Sequence, residues 1–333
     1  MPESTIIMPL NETPILELRQ IVKRFRLPRR SLNRPTRVVH AVNKVNLSIN
    51  LGETLAIVGE SGCGKTTLGR CAIRLYQPTE GSVLFRGIDV TETRGIGLHP
   101  FRKSVQMVFQ DPNSSLNPRM QAASIIEEPM QIHQLGNRAF CRERVAEAMD
   151  AVGLSRQFSN RYPHEFSGGE RQRIAIARTL VLEPDLIIAD EPVSALDVSI
   201  QSQVLNLFAE LREQRGLALL FITHDLAVVN FIADRVAVMY LGRIVEIANR
   251  DVLLREPHHP YSQALRAAVP KPGAGKRQSR KALVGSSPDP TSPPRGCPFH
   301  PRCPKAQTIC KEIEPVLESV GGNVNHQAAC HFK

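Results

Sequence analysis

The run Gly59-Glu60-Ser61-Gly62-Cys63-Gly64-Lys65-Thr66 constrains this chain more than any other stretch. It matches G-x-x-x-x-G-K-[ST] and stands where that pattern carries meaning, after an apolar strand-like run (54–58) and before a helical one (67–73). Glycines let successive backbone N–H groups turn inward as an anion-binding nest, and the helix N-terminus adds partial positive charge. Gly59, Ser61, Gly62, Cys63, Gly64, Lys65, Thr66 and Thr67 are therefore the candidate phosphate contacts. Lys65 is placed to reach the β- and γ-phosphates, and the Thr66 hydroxyl to sit on Mg²⁺. A glycine turn followed by a chance Lys-Thr would leave the strand and helix on either side unexplained. The stretch predicts a nucleotide site.

A phosphate loop between strand and helix calls for an α/β domain with a mainly parallel sheet. The rest of the chain agrees. Residues 15–58 read as a β region interrupted by a Pro/Arg-rich insertion at 27–36, and 82–85 and 105–109 as further strands. From 113 to about 159 the pattern turns helical: Val145, Ala148, Met149 and Val152 recur at i, i+3, i+4, i+7. A helix is expected over 168–182, a buried strand over 186–189, and a helix N-capped by Asp197 and stopped by Gly216. A strand over 219–223 and a hairpin around 241–242 complete the domain. At 333 residues the chain suits one large domain plus an appendage. The expected boundaries are an ATP-binding domain over 1–272 with a helical lobe at about 112–180, a linker over 273–294, and a cysteine-containing extension over 295–333.

In open α/β sheets ligands collect at the carboxyl ends of the strands, and Gly59, Gln110, Asp190 and His224 all fall at such ends. Asp190 follows four apolar residues, as does an aspartate that holds Mg²⁺ through water. Glu191 would face the γ-phosphate, where a carboxylate can orient and deprotonate the attacking water; the pair predicts hydrolysis. His224 and Gln110 are candidates for contacting the γ-phosphate and the water or Mg²⁺. Ser167-Gly168-Gly169-Glu170 has two readings, a capping box at a helix start or an anion site built from a serine hydroxyl and glycine amides.

Composition narrows the class. The net charge of +10 admits nucleic acid or an anionic membrane surface, but 5% aromatic content and no Trp argue against base-stacking platforms. No apolar run approaches the length of a membrane span, and the N-terminus lacks the layout of a signal peptide, so a cytoplasmic chain without structural disulfides is expected. Of seven cysteines, Cys297, Cys303, Cys310 and Cys330 crowd the C-terminal forty residues. Their spacing admits a tetrahedral Zn²⁺, an iron–sulfur cluster or unligated thiols, with His300, His326 and His331 as substitute zinc ligands.

Taken together, GESGCGKT (59–66), Gln110, FSGGE (166–170), LIIADE (186–191), SALD (194–197) and His224 resemble the ATP-binding subunit of an ABC transporter. That resemblance implies a head-to-tail dimer in which Ser167, Gly168, Gly169 and Glu170 of one subunit clamp the γ-phosphate held by the other. It implies Glu191 as catalytic base, His224 as switch histidine, Gln110 as the link to the membrane partner and as a Mg²⁺ neighbour with Thr66 and Asp190. Ser194 and Asp197 would cross the dimer interface, and Phe25, ahead of His40, would stack on adenine. Glu170 stands where the family most often has Gln. The insertion before Val38, the run 109–118, His258-His259-Pro260-Tyr261-Ser262 and 296–304 are similar to the dipeptide/oligopeptide importers, the F-type of their two ATPase subunits in particular. The implied partners are a D-type sister ATPase, two membrane permease subunits and an extracytoplasmic binding protein, with no nucleic acid. The chain would lie at the cytoplasmic face of the membrane. Cargo across that group includes dipeptides, longer peptides, glutathione and nickel chelates. Some of its members carry a [4Fe–4S] cluster on a similar tail, for which a structural role away from ATP is expected here. A nucleic-acid or ribosome ATPase of the same superfamily is the rival reading; a single cassette without sustained heptads speaks against it.

Overall fold

The computed structural model describes residues 13–27, 37–268 and 288–332. Most of the expected 27–36 insertion and 273–294 linker lies outside the described residues. Among the described residues twelve strands form two sheets. They are β1 (Leu16–Arg26), β2 (Val38–Ile49), β3 (Thr54–Val58), β4 (Glu80–Phe85), β5 (Ile88–Asp89), β6 (Val105–Val108), β7 (Leu186–Asp190), β8 (Ala218–Thr223), β9 (Arg235–Tyr240), β10 (Arg243–Asn249), β11 (Glu318–Val320) and β12 (Asn323–Ala328).

The smaller sheet, ordered β2-β1-β4-β5, is antiparallel throughout. The larger runs β11-β12-β10-β9-β3-β8-β7-β6, and its β9, β3, β8, β7 and β6 are parallel to one another. Why those strands are central is legible in their composition. Every residue of Thr54–Val58, Leu186–Asp190 and Ala218–Thr223 is buried, so each runs apolar without alternation, as strands covered on both faces must.

Between β6 and β7 the chain leaves the sheet as helices, chiefly Ala122–Ile132, Arg138–Ala151 and Gly168–Leu180. The periodic set Val145, Ala148, Met149 and Val152 is buried in the core they share with β7 and β8. Asn137 starts the second of these helices by accepting from the amides of Ala139 and Phe140, each at 3.0 Å. Asp197 does occupy the N-cap of helix Val198–Arg215, but its side chain makes no capping bond. Gly216 ends that helix at φ 62°.

The C-terminal residues depart from the expectation of an appended tail. β12 pairs with β10 (Glu246 opposite Ala328, Ile247 opposite Gln327), and β11 pairs with β12, so the extension completes the main sheet. One buried carboxylate pins it there. Glu246 is 0% exposed, accepts from the backbone N–H groups of His258 and His259 at 2.8 and 3.0 Å, and lies 2.7 Å from His326 Nε2. Burial also pushes the His259 imidazole down to about 3, and its Nδ1 accepts the Tyr261 amide, a bond only the neutral ring can make. Glu246→Ala strands two backbone donors and a histidine, each worth about 1–3 kcal/mol when left unsatisfied. We expect a lowered Tm and faster proteolytic release of the 288–332 region. An unshifted Tm with an unchanged digestion pattern would show that the pin is dispensable.

Candidate nucleotide-hydrolysis site

Parallel register brings the chemistry to one edge. Val58 lies opposite Thr223, Asp190 opposite Ile222 and Val108 opposite Ala189, so the loops after β3, β6, β7 and β8 leave the sheet side by side. The loop after β3 has a fixed shape. Gly64 sits at φ 109°, and a Cβ there would lie 2.1 Å from the Ala41 carbonyl oxygen, so no side chain is tolerated. At Gly62, φ 79°, an added Cβ would meet nothing within 4 Å, which leaves open space against the loop.

Helix Lys65–Ala72 begins inside the loop. The Lys65 ammonium is buried and donates to the carbonyls of Gly59 (2.8 Å) and Glu60 (3.1 Å). Thr66 Oγ1 donates to Asp190 Oδ1 at 2.9 Å. Burial raises the Asp190 carboxyl above the ordinary carboxylate range, and the Thr66 bond opposes that. A buried carboxylate touching a hydroxyl at a phosphate loop is the hard-oxygen donor set that suits Mg²⁺.

Glu191 is the meeting point. Its Oε2 accepts from Gln110 Nε2 at 3.2 Å and stands 3.3 Å from His224 Nδ1; its Oε1 is 3.9 Å from Lys65 Nζ. The backbone there is left-handed, φ 47°, a conformation a non-glycine residue adopts only when its surroundings impose it. Those surroundings are visible: the Glu191 amide donates to the Ile222 carbonyl at 2.9 Å, and its carbonyl accepts from Ser194 Oγ at 3.0 Å. Three residues picked from sequence as strand-end candidates or loop cation, Gln110, His224 and Lys65, thus converge on one carboxylate.

Ser167 and Glu170 form the capping box. The Ser167 amide and hydroxyl each donate to Glu170 Oε2 at 2.8 Å, and the Glu170 amide donates back to Ser167 Oγ at 3.3 Å. The Ser167 backbone N–H, then its hydroxyl, hold the Glu170 carboxyl below its ordinary range. These bonds stay within the turn, and Ser167 and Gly168 are exposed. Gly169 is buried against Ile200.

Phe25 is half-buried on β1 and packs edge-on to Tyr76 with ring centroids 5.5 Å apart, while Lys23 Nζ lies 5.1 Å over its ring. His40 lies on β2 opposite Arg24. The Tyr76 partner was missed in sequence, since nothing local couples a turn tyrosine to a distant strand, whereas Lys23 is a near neighbour of Phe25 on β1 itself.

Cys297, Cys303, Cys310 and Cys330 line one cavity of about 20 Å³. Burial pushes the Cys297 thiol up to about 11 and raises that of Cys303. Among the described residues no three His, Cys, Asp or Glu side chains are arranged to hold a metal ion, so the thiols converge without forming a coordination set. The cavity has room for about one water-sized guest. The substitute ligands are engaged elsewhere: His300 Nδ1 with the Cys297 carbonyl, His331 Nε2 with that of Ile313, and His326 with Glu246. Sequence reasoning also expected this region to stand apart from ATP. Instead Arg302 reaches Glu60 in the phosphate loop.

A strand-end phosphate loop with a buried lysine, an Asp–Thr oxygen pair and a carboxylate ringed by Gln, His and Lys defines a nucleoside-triphosphate hydrolase of the cassette type. Family comparison agrees. The "ABC transporter" model matches residues 42–194, and "Oligopeptide/dipeptide transporter, C-terminal region" matches 245–310. The oligopeptide transport ATP-binding protein AppF of Bacillus subtilis is 52% identical over 97% of this chain and 98% of its own. A probable peptide ABC transporter ATP-binding protein of Sinorhizobium fredii, y4tS, is 50% identical over 89% of this chain and 83% of its own. Among solved structures, the dimeric ATP-binding cassette MJ0796 bound to ADP and Pi superposes with TM-score 0.63 at 30% identity, covering 71% of this chain and 98% of that one. The chain belongs to the ATP-binding subunits of the oligopeptide/dipeptide ABC transporters.

Glu191→Gln keeps the shape of this site and removes the carboxylate. We expect retained ATP binding and a loss of about 10²–10⁴ in steady-state turnover. A near wild-type rate would exclude Glu191 as the base.

Proposed function

We propose that this chain hydrolyses ATP to drive peptide uptake across the cytoplasmic membrane, within a complex in which each ATP is closed between two ATP-binding subunits. The observation that carries the reading is the convergence of Lys65, Gln110 and His224 on the Glu191 carboxylate beside the Asp190–Thr66 pair. Family membership makes it the ATPase subunit of a peptide importer, working with membrane permeases and a substrate-binding protein. Its contact with the membrane is through partners at the cytoplasmic face; no helix among the described residues is long and apolar enough to span a bilayer.

In this reading Lys65 exchanges the Gly59 and Glu60 carbonyls for β- and γ-phosphate oxygens, and the loop amides take the rest of the charge. Thr66 and Asp190 hold Mg²⁺, with Gln110 beside it. When bound, Mg²⁺ neutralises charge on the phosphates. Glu191 takes a proton from the attacking water as its oxygen bonds to the γ-phosphorus and the bond to the bridging oxygen of ADP breaks. His224 and Gln110 hold Glu191 in place and report the γ-phosphate, Gln110 toward the permeases. Phe25, backed by Tyr76, offers the adenine a surface.

The signature turn acts in trans. Ser167, Gly168 and Gly169 present a hydroxyl and amides at the start of a helix, the hydroxyl bonded to Glu170, and would face a neighbouring subunit's γ-phosphate. The partner is a D-type sister rather than a second copy. Ser167→Arg should therefore abolish stimulated turnover at the partner's nucleotide while this chain's own ATP photo-cross-linking stays at the wild-type level. Cross-linking lost on this chain and kept on the partner would overturn the composite site.

The thiols of the four-cysteine tail line one cavity without forming a coordination set, and only by closing on a common centre would they hold a metal group in a structural capacity. Four thiolates serve zinc and [4Fe–4S] alike. The family resemblance favours the cluster, and the cavity's size favours the single ion. Iron, sulfide and zinc analysis after anaerobic purification should return one of the two at about one group per chain. Colourless, metal-free protein that assembles an active transporter would retire both.

A further inference from the structure

The phosphate loop carries a carboxylate of its own. Of the eight residues 59–66 only Glu60 is acidic, and its backbone carbonyl is one of the two that the Lys65 ammonium touches. A negative charge at the mouth of a site for a polyanion opposes binding. The fold answers it from the far end of the chain, 242 residues away: Arg302 Nη1 donates to Glu60 Oε2 at 2.7 Å and Nη2 to Oε1 at 2.9 Å, a two-point fork.

The surroundings make that fork firm. The Arg302 side chain is 5% exposed against 27% for Glu60, and its guanidinium lies 5.9 Å over the Tyr240 ring. Tyr240 in turn packs with Tyr261 and Phe299, the three ring centroids 4.7–5.4 Å apart. Tyr261 also accepts the Glu60 amide on its hydroxyl at 2.8 Å, so Glu60 is held by backbone and side chain at once. Arg302 itself sits in the tight turn between Cys297 and Cys303, where its amide donates to the Phe299 carbonyl at 3.0 Å and Cys297 donates to the Cys310 carbonyl at 2.8 Å.

We propose that Arg302 is a positioning residue of the nucleotide site, neutralising the Glu60 carboxylate so that the phosphate loop accepts ATP. The cysteine-bearing extension thereby becomes part of the ATP site, and its folding sets ATP affinity. A purely structural salt bridge makes a different forecast: ATP affinity then follows thermal stability across the variants, and E60Q, which weakens the pair, binds no more tightly than wild type.

The test is ATP affinity of the full-length chain with Mg²⁺, measured by displacement of trinitrophenyl-ATP, with thermal unfolding run on each variant. R302Q removes the guanidinium that the Glu60 carboxylate forks onto and should bind ATP about tenfold more weakly at low salt, the deficit shrinking as salt screens the charge. E60Q/R302Q removes both charges and should recover to within about threefold of wild type, whatever its thermal stability. E60Q alone keeps an acceptor for Arg302, removes the negative charge and should bind ATP at least as tightly as wild type at low salt. This last arm stands even if R302Q does not fold. Folded R302Q with wild-type affinity, a double variant no tighter than R302Q, or E60Q that binds more weakly than wild type would each overturn the proposal.

Discussion

A buried ammonium organises this molecule. Lys65 Nζ is enclosed by the phosphate loop, with two backbone carbonyls within hydrogen-bond reach and the Glu191 carboxylate at 3.9 Å. A cation in that position is stable only if oxygens surround it, and they come from separate pieces of chain. The loop supplies Gly59 and Glu60, and the end of β7 supplies Glu191. The left-handed backbone at Glu191 and the glycine at 64 are local costs of bringing those oxygens together. Parallel strands make it geometrically feasible, because their carboxyl ends all open on the same edge.

The same logic extends outward from the lysine. Glu60 supplies a carbonyl to Lys65 and so carries its own carboxylate next to the phosphate site. That carboxylate is held by Arg302, which the extension presents from a turn bounded by Cys297 and Cys303. The extension in turn depends on Glu246, whose buried carboxylate collects two backbone donors and His326. Two separate contacts thus tie the extension to the main domain, Arg302 on the phosphate loop and His326 on the buried Glu246.

Much of this was legible in the residues. The phosphate loop, the Asp190–Glu191 pair, Gln110 and His224 could be placed at strand ends because apolar runs are read easily and the motif spacing is tight. The Ser167–Glu170 capping box is a local event, four residues long, and the structure contains it as one of its two readings had it. Periodicity likewise marked the helix Arg138–Ala151, because burial of one helical face leaves a pattern of 3.6 in the chain itself.

What the sequence could not determine is what depends on distant chain meeting. Nothing near Glu60 announces Arg302, and nothing near Glu246 announces His326; 242 and 80 residues separate the partners, and no periodicity spans such gaps. A tail rich in Pro and Cys reads as an appendage, yet β10 has an open edge whose N–H and C=O groups demand a partner, and β12 provides it. The cysteines show the same division. Their number and spacing were plain from the chain, whereas their meeting in one small cavity, short of a coordination set, was decided by how β11, β12 and the Cys297–Cys303 turn pack on the main sheet. Local chemistry is written in neighbouring residues, and tertiary structure alone decides which distant charges face each other.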